Sequence, residues 1–202
     1  MEEQEKIIEL GEEKFFREGF HKTTMDDIAA ELRMSKKTIY KFFPSKDDLV
    51  RAIAKHFMNG VKKKIIAALN TDLNAIEKLE ALMKVLASTS HRISPRMLDE
   101  MRRHLPSLWI EIDNFRAEMM FGNLTKIIDQ GKAEGLFADY PTPIIMNMLV
   151  SSVRSIANPE FVLNHNFSLI EAALTIFRII IGGIITEKGK VIFNKTINQN
   201  SL

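Results

Sequence analysis

Apolar residues recur along this chain at three- and four-residue intervals, and the runs are cut by Gly, Pro and Asn. No stretch alternates in the manner of a strand ladder. Ile7, Ile8, Gly11 and Phe15 share one face of a first helix, which should stop at Gly19, where a left-handed cap costs least. Gly11 is a poor helix former, and the close approach of another helix is a reason to keep it there. Thr24 opens a second helix with Asp27 three residues on, a capping-box spacing, and Met25, Ile28, Ala29 and Leu32 form its apolar stripe. Ser35 opens a third helix with Ile39 and Phe42 inward. Ser45, with Pro44 before it and Asp48 after it, opens a fourth. The face Leu49, Val50, Ile53, Ala54, Phe57, Val61 and Ile65 carries that fourth helix to about Leu69. It should be on the order of 35 Å long, with Gly60 marking a place for a break or bend.

Five further helices are expected at roughly 73–91, 95–105, 106–134, 142–157 and 167–186, separated by Pro95, Pro106, Gly135, Pro141 and Asn158-Pro159. The tail after Gly189 reads as loosely ordered. The expected fold is all-α, about nine helices. A three-helix N-terminal head, residues 1–55, is joined by the long fourth helix to a helical body, residues 56–202.

Composition narrows the setting. The chain has 202 residues, 46% hydrophobic and 27% charged, ample for a folded core. Without cysteine it has no disulfide and no thiolate chemistry. Its acidic, helix-prone N-terminus is unlike a signal peptide, and the apolar run Ala172–Ile185 is interrupted by Arg178 and too short to span a bilayer. A cytoplasmic protein is the expectation. Net charge is only +2, so any electrostatic argument must be local. Residues 1–50 hold nine Lys and Arg against twelve Asp and Glu, yet five basic residues and no acid lie between Arg33 and Lys46.

That basic window carries the chemistry. A short helix braced across the start of another can lie in the major groove of B-form DNA. The third helix places Lys36, Lys37, Thr38, Tyr40 and Lys41 on its outer side. Lysines neutralise phosphates or donate to guanine edges, and Thr and Tyr hydroxyls bond phosphate oxygens. The helix starts at Thr24 and Ser45 add backbone N–H groups that favour an anion, and Lys46 sits at the second of them. Taken singly, these residues are also what plain caps and a solvated face would show.

The ordered series Thr23-Thr24-Met25-Asp26-Asp27-Ile28-Ala29, Met34-Ser35-Lys36-Lys37-Thr38-Ile39-Tyr40-Lys41-Phe42-Phe43 and Ser45-Lys46-Asp47-Asp48-Leu49 resembles the DNA-binding head of the tetracycline-repressor (TetR) family. Gly19-Phe20 fits as well, and the likeness covers about residues 5–56. The resemblance implies a helix-turn-helix at about 24–43 and a homodimer. It also implies a body that binds a small effector and dimerises, with Thr24, Ser35, Lys36, Lys37, Thr38, Tyr40, Lys41 and Lys46 on the DNA side. Two positions depart from the family pattern. Arg33 stands where the turn commonly has Gly, and Lys37 and Lys41 replace the more frequent Gly and His or Tyr.

Seven of the eleven methionines lie between Met83 and Met148, among Trp109, Phe115, Phe121 and Phe137. Met and aromatic side chains build adaptable apolar pockets, and equally build ordinary cores. Met83, Met101, Trp109, Phe115, Met119 and Met148 are the candidate ligand contacts. Arg92, Arg102, Arg103 and His104 could meet an anionic group or simply face water. The segment 168–185 is apolar nearly all round, so its own chain covers one face and a second copy is expected to cover the other. Ile145, Met148, Ser152, Leu174, Phe177 and Ile181 are the expected dimer contacts, a central place in a monomeric core being the alternative. No phosphate-cradling loop, nucleophile elbow or His-Glu-x-x-His helix is present, and Glu100 with His104 makes only two of the ligands a metal needs. No cofactor, metal or catalytic role is expected. The reading is a ligand-responsive, DNA-binding transcriptional regulator, a repressor released by a small lipophilic effector. The alternative is a helical effector- or partner-binding protein without sequence-specific DNA binding.

Overall fold

The computed structural model describes residues 2–199, with side chains to Phe193. Its described residues form eleven helices. The head comprises α1 (Glu2–Glu18), α2 (Met25–Glu31) and α3 (Lys36–Phe42), and α4 (Lys46–Leu69) runs on from it. The body adds α5 (Ala75–Ser90), α6 (Pro95–His104), α7 (Pro106–Ala133), α8 (Thr142–Ile156), α9 (Pro159–Leu163), α10 (Leu169–Ile184) and α11 (Glu187–Gln199). None of them is long and apolar enough to cross a membrane.

The expected starts are where the caps are. Thr24 makes a reciprocal capping box with Asp27, and Asn74 and Ser168 do the same for α5 and α10 with Glu77 and Glu171. Helix α1 ends as Gly19 turns to φ 89°. Gly11 is needed because α4 comes close: a Cβ there would lie 2.7 Å from Ile53 Cδ1. Gly60 leaves α4 continuous from Lys46 to Leu69.

Apolar burial falls into two clusters. The first gathers Ile7, Phe15, Ile28, Ile39, Leu49 and Ile53 from the head, and closes with Met101, Leu105 and Leu108 from α6 and α7. The second lies in the body, around Ile76, Leu124, Ile128, Met146, Leu149 and Ile176. Helix α4 feeds both, with Leu49 to Ala54 in the first and Ile65 in the second.

Two expectations fail. Asn158-Pro159 is more than a break. The Asn158 Oδ1 accepts from the Phe161 N–H at 2.9 Å and starts the five-residue α9. The stretch after Gly189 is helical as far as Gln199 because α11 is tied down at its start, and residues 200–202 of that tail lie outside the described residues. Thr186 N–H donates to the Leu136 carbonyl at 3.0 Å, Lys188 Nζ to the Glu134 carbonyl at 2.7 Å, and Ile192 and Phe193 pack on the body core. These ties were invisible to periodicity because they join residues some fifty positions apart.

The connection after α7 depends on one small residue. A Cβ on Gly131 would clash with Cδ2 and Cε2 at the edge of the buried Phe137 ring. Gly131→Ala should therefore lower stability by about 1–3 kcal/mol, an overpacking cost, measured as the shift in urea midpoint at unchanged m-value.

Candidate nucleic-acid interface and internal cavity

Helices α2 and α3 are joined by the four residues Leu32, Arg33, Met34 and Ser35. The Met34 N–H returns to the Ala29 carbonyl at 2.9 Å and the Arg33 N–H to Ala30 at 3.1 Å, a Schellman-type end. Arg33 holds φ at 54°, the only non-glycine residue with positive φ among those described. The sequence left open whether this turn would keep the left-handed geometry, and it does.

Helix α3 is anchored by Ile39, fully buried, and by Phe43 just past its end. Phe42, expected inward, is only half-buried. The opposite face exposes Lys36, Lys37, Tyr40 and Lys41, with Thr38 half-buried. Ser35 is the N-cap: its Oγ accepts from the Thr38 N–H at 3.1 Å and lies 2.8 Å from the Thr38 hydroxyl. Thr24 Oγ1 donates to Asp27 at 2.6 Å, which with the backbone N–H of Thr24 holds the Asp27 carboxyl below its usual range.

Two of the expected DNA-facing lysines have partners within the chain. Lys36 pairs with Asp26 across the α2–α3 turn, and the hydrogen bond raises its pKa. Lys46 is half-buried, its ammonium 4.4 Å from the centroid of the Phe20 ring, and desolvation lowers its pKa. Its side chain thus sits at the seam between head and body. Sequence reasoning also passed over Lys14. Buried in α1, it pairs with Glu31 of α2 at 2.6 Å and Glu18 at 3.9 Å, and braces the helix pair from behind.

Behind this head lies a cavity of about 260 Å³. Phe15, Phe16 and Phe20 form its wall at the head, Met119 and Phe177 in the body, and Val50 to Ile65 along α4. Of the candidate ligand contacts, Met101, Phe115 and Met119 line it. Met83, Trp109 and Met148 do not: Met83 packs on the body core, Trp109 is half-buried beside Leu108 on α7, and Met148 faces outward on α8, 54% exposed. The arginines singled out from sequence are committed elsewhere. Arg92 binds Glu12 at 3.1 Å, and Arg102 and Arg103 both bind Asp99. Burial pushes the Asp99 carboxyl up, but those hydrogen bonds outweigh it and leave the pKa lowered. His104 rests against the rings of Phe20 and His21. The arginine that does line the cavity, Arg116, was not singled out, because nothing in its local sequence sets it apart.

The expected dimer contacts divide in two. Ile145, Phe177 and Ile181 are turned into the body core of their own chain, which corrects their placement on an outer face. Helix α10 spends its most apolar side there, and α8 packs it with Leu149 and Val153. Leu174 and Ser152 are half-buried, and Met148 is open. The apolar residues facing outward are Ile144 and Met148 on α8 and Ile179 on α10, 58%, 54% and 70% exposed.

Residues 7–53 match the family model of bacterial regulatory proteins, tetR family. The HTH-type transcriptional regulator YvaF of Bacillus subtilis (strain 168) is 26% identical over 168 residues, 82% of this chain and 87% of its own length. The crystal structure of a transcriptional regulator from Cytophaga hutchinsonii ATCC 33406 shares the fold. Its TM-score is 0.73 at 21% identity, over 92% of this chain and all 100% of that one. A transcriptional regulator from Saccharomonospora viridis, solved in complex with choline, gives 0.71 at 21% identity, over 92% and 99% of the two chains. The capped helix pair, its exposed basic face and the matching family model define a helix-turn-helix head of the kind that bacterial regulatory proteins carry. Residues 7–53 thus form a head of the tetR type, and the body behind it has the fold of those solved regulators.

The left-handed Arg33 should carry a measurable cost. Arg33→Gly is expected to raise stability by about 0.5–1 kcal/mol in chemical denaturation, and an unmoved midpoint would show that the turn stores no strain.

Proposed function

We propose that the protein is a repressor that binds a palindromic operator as a homodimer and is released by a small lipophilic effector. Residues 1–55 would serve as the DNA-binding domain and 56–202 as the effector-binding and dimerisation domain, acting in the cytoplasm. The observation that carries this reading is the cavity itself. Its wall includes head residues Phe15 and Phe20 and body residues Met119 and Phe177, with α4 running the length between them. A molecule entering it touches the elements that orient α3.

A ligand shifts an equilibrium only by its differential affinity for two states, and the coupling is reciprocal. An effector preferring a body whose heads are wrongly spaced for DNA lowers operator affinity by the same factor by which the operator lowers its own. Helix α4 is the lever, because its first turns pack with the head and its Ile65 with the body. On the operator, Lys37, Tyr40 and Lys41 reach the groove from α3. Thr24, Ser35 and Thr38 approach phosphates at helix starts, Lys36 gives up Asp26, and Lys46 exchanges the Phe20 ring for a phosphate. Two heads then meet half-sites about one helical turn apart, ~34–36 Å. That the Saccharomonospora viridis regulator holds choline supports a small-molecule site in such a body.

For the dimer, the support is the open apolar patch of Ile144, Met148 and Ile179 on the adjoining α8 and α10, where Gly182 and Gly183 leave room for close approach.

Selection from a random duplex pool should enrich an inverted repeat. Lys37→Ala/Tyr40→Ala should abolish the enrichment and reduce the salt slope of residual binding by about 0.9 for each phosphate no longer neutralised. An unselective pool with an intact dimer would contradict sequence-specific binding. Met148→Glu/Ile179→Glu should convert the dimer to monomer in analytical ultracentrifugation and weaken operator binding at least about 100-fold, the gain from linking two heads. A variant that stays dimeric would place the interface elsewhere.

A further inference from the structure

The cavity is apolar with one exception. Among the described residues no Asp or Glu lines it, and its two hydroxyl residues are turned back onto their own helix. Thr89 Oγ1 bonds the Val85 carbonyl at 2.8 Å, and Ser90 Oγ bonds Ala87 at 3.1 Å. Arg116, midway along α7, is the single charged residue in the lining. Its guanidinium has five N–H donors. One goes to the Ala157 carbonyl at 3.0 Å, and no carboxylate lies within ion-pair distance among the described residues. Asp113, the acid whose charge acts on Arg116, is held by Arg154 at 3.0 Å, and Arg154 itself adds a like charge. Desolvation accordingly lowers the pKa of Arg116, a group that in a folded interior is ordinarily paired.

A planar fork of donors on an apolar wall, without its carboxylate, is half of a binding site. We infer that the effector is a lipophilic monoanion, an alkyl or aryl carboxylate, whose charged end is held by the guanidinium of Arg116. Two parallel N–H···O bonds match fork to carboxylate. The apolar remainder lies among Phe115, Met119, Phe177 and the α4 side chains. A cation is disfavoured, because no acid is present to meet it. The inference rests on the cavity being the effector site.

Titration calorimetry of the full-length protein with octanoate, 1-octanol and octyltrimethylammonium tests both levels. Octanoate should bind at least about tenfold tighter than the alcohol, as expected for a charge-assisted bond out of water, and the ammonium weakest of the three. Arg116→Met should collapse the ratio of octanoate to octanol affinity, and Arg116→Lys, which keeps the charge, should retain most of it. Equal affinity for octanoate and octanol, or preference for the ammonium, overturns the anion assignment and leaves the cavity as effector site. Binding of none of the three, or binding undiminished by the cavity-filling Ala173→Phe, overturns the effector-site reading together with it.

Discussion

The apolar face of α4 has to satisfy two hydrophobic clusters at once. Leu49, Val50, Ile53 and Ala54 belong to the head, Ile65 to the body, and the residues between them border a cavity instead of a packed core. Close packing transmits displacement, and an unfilled stretch leaves slack. On the proposed function, an effector in the cavity would touch the middle of α4, where Phe57 meets the Phe16 ring and His56 meets Glu12. The head depends on this arrangement further, since its cluster is completed by Met101, Leu105 and Leu108 from the body. The seam is also pinned by polar contacts: Glu12 holds both the His56 ring at 2.9 Å and Arg92 at 3.1 Å, and Arg51 pairs with Glu111.

Charge in the head is arranged by position more than by amount. Acids sit at helix starts, where Asp27 and Asp48 bond their capping hydroxyls. The cations divide between bracing and display. Lys14 is buried with Glu31, Lys36 leans on Asp26, and Lys46 covers Phe20, while Lys37 and Lys41 stand exposed on α3 with Tyr40. A net charge of +2 therefore says little about what the DNA-facing surface presents. On the proposed function, each partnered lysine would enter a DNA contact only by giving up an existing one, so the exposed pair would carry the cheaper contacts.

The body shows the same division between inner and outer faces. On α10, Ile176, Phe177 and Ile181 fill the core while Ile179 stands in solvent, and on α8 Ile145 and Leu149 fill it while Ile144 and Met148 stand out. A helix that reads as apolar all round is thus two helical faces with different destinations, and hydrophobicity alone does not say which is which.

What the sequence determined by itself is local. Capping residues, the Gly19 stop, the stripe on each helix and the basic stretch from Arg33 to Lys46 act within a few residues, and so the head and most helix limits were legible in it. At Arg33, standing where Gly is usual, the sequence left two turn geometries open, and the fold chose the left-handed one. The tertiary structure decided what depends on distant neighbours. It put Ile145, Phe177 and Ile181 inside, drew Lys46 onto Phe20, and held α11 through residues some fifty positions away. It also singled out Arg116, unremarkable in sequence, by placing it half-buried on an apolar wall while Arg154 took the carboxylate of Asp113. Capping and periodicity are short-range and written in adjacent residues. Burial, pairing and cavities are properties of which surfaces meet, and only the packed chain fixes those.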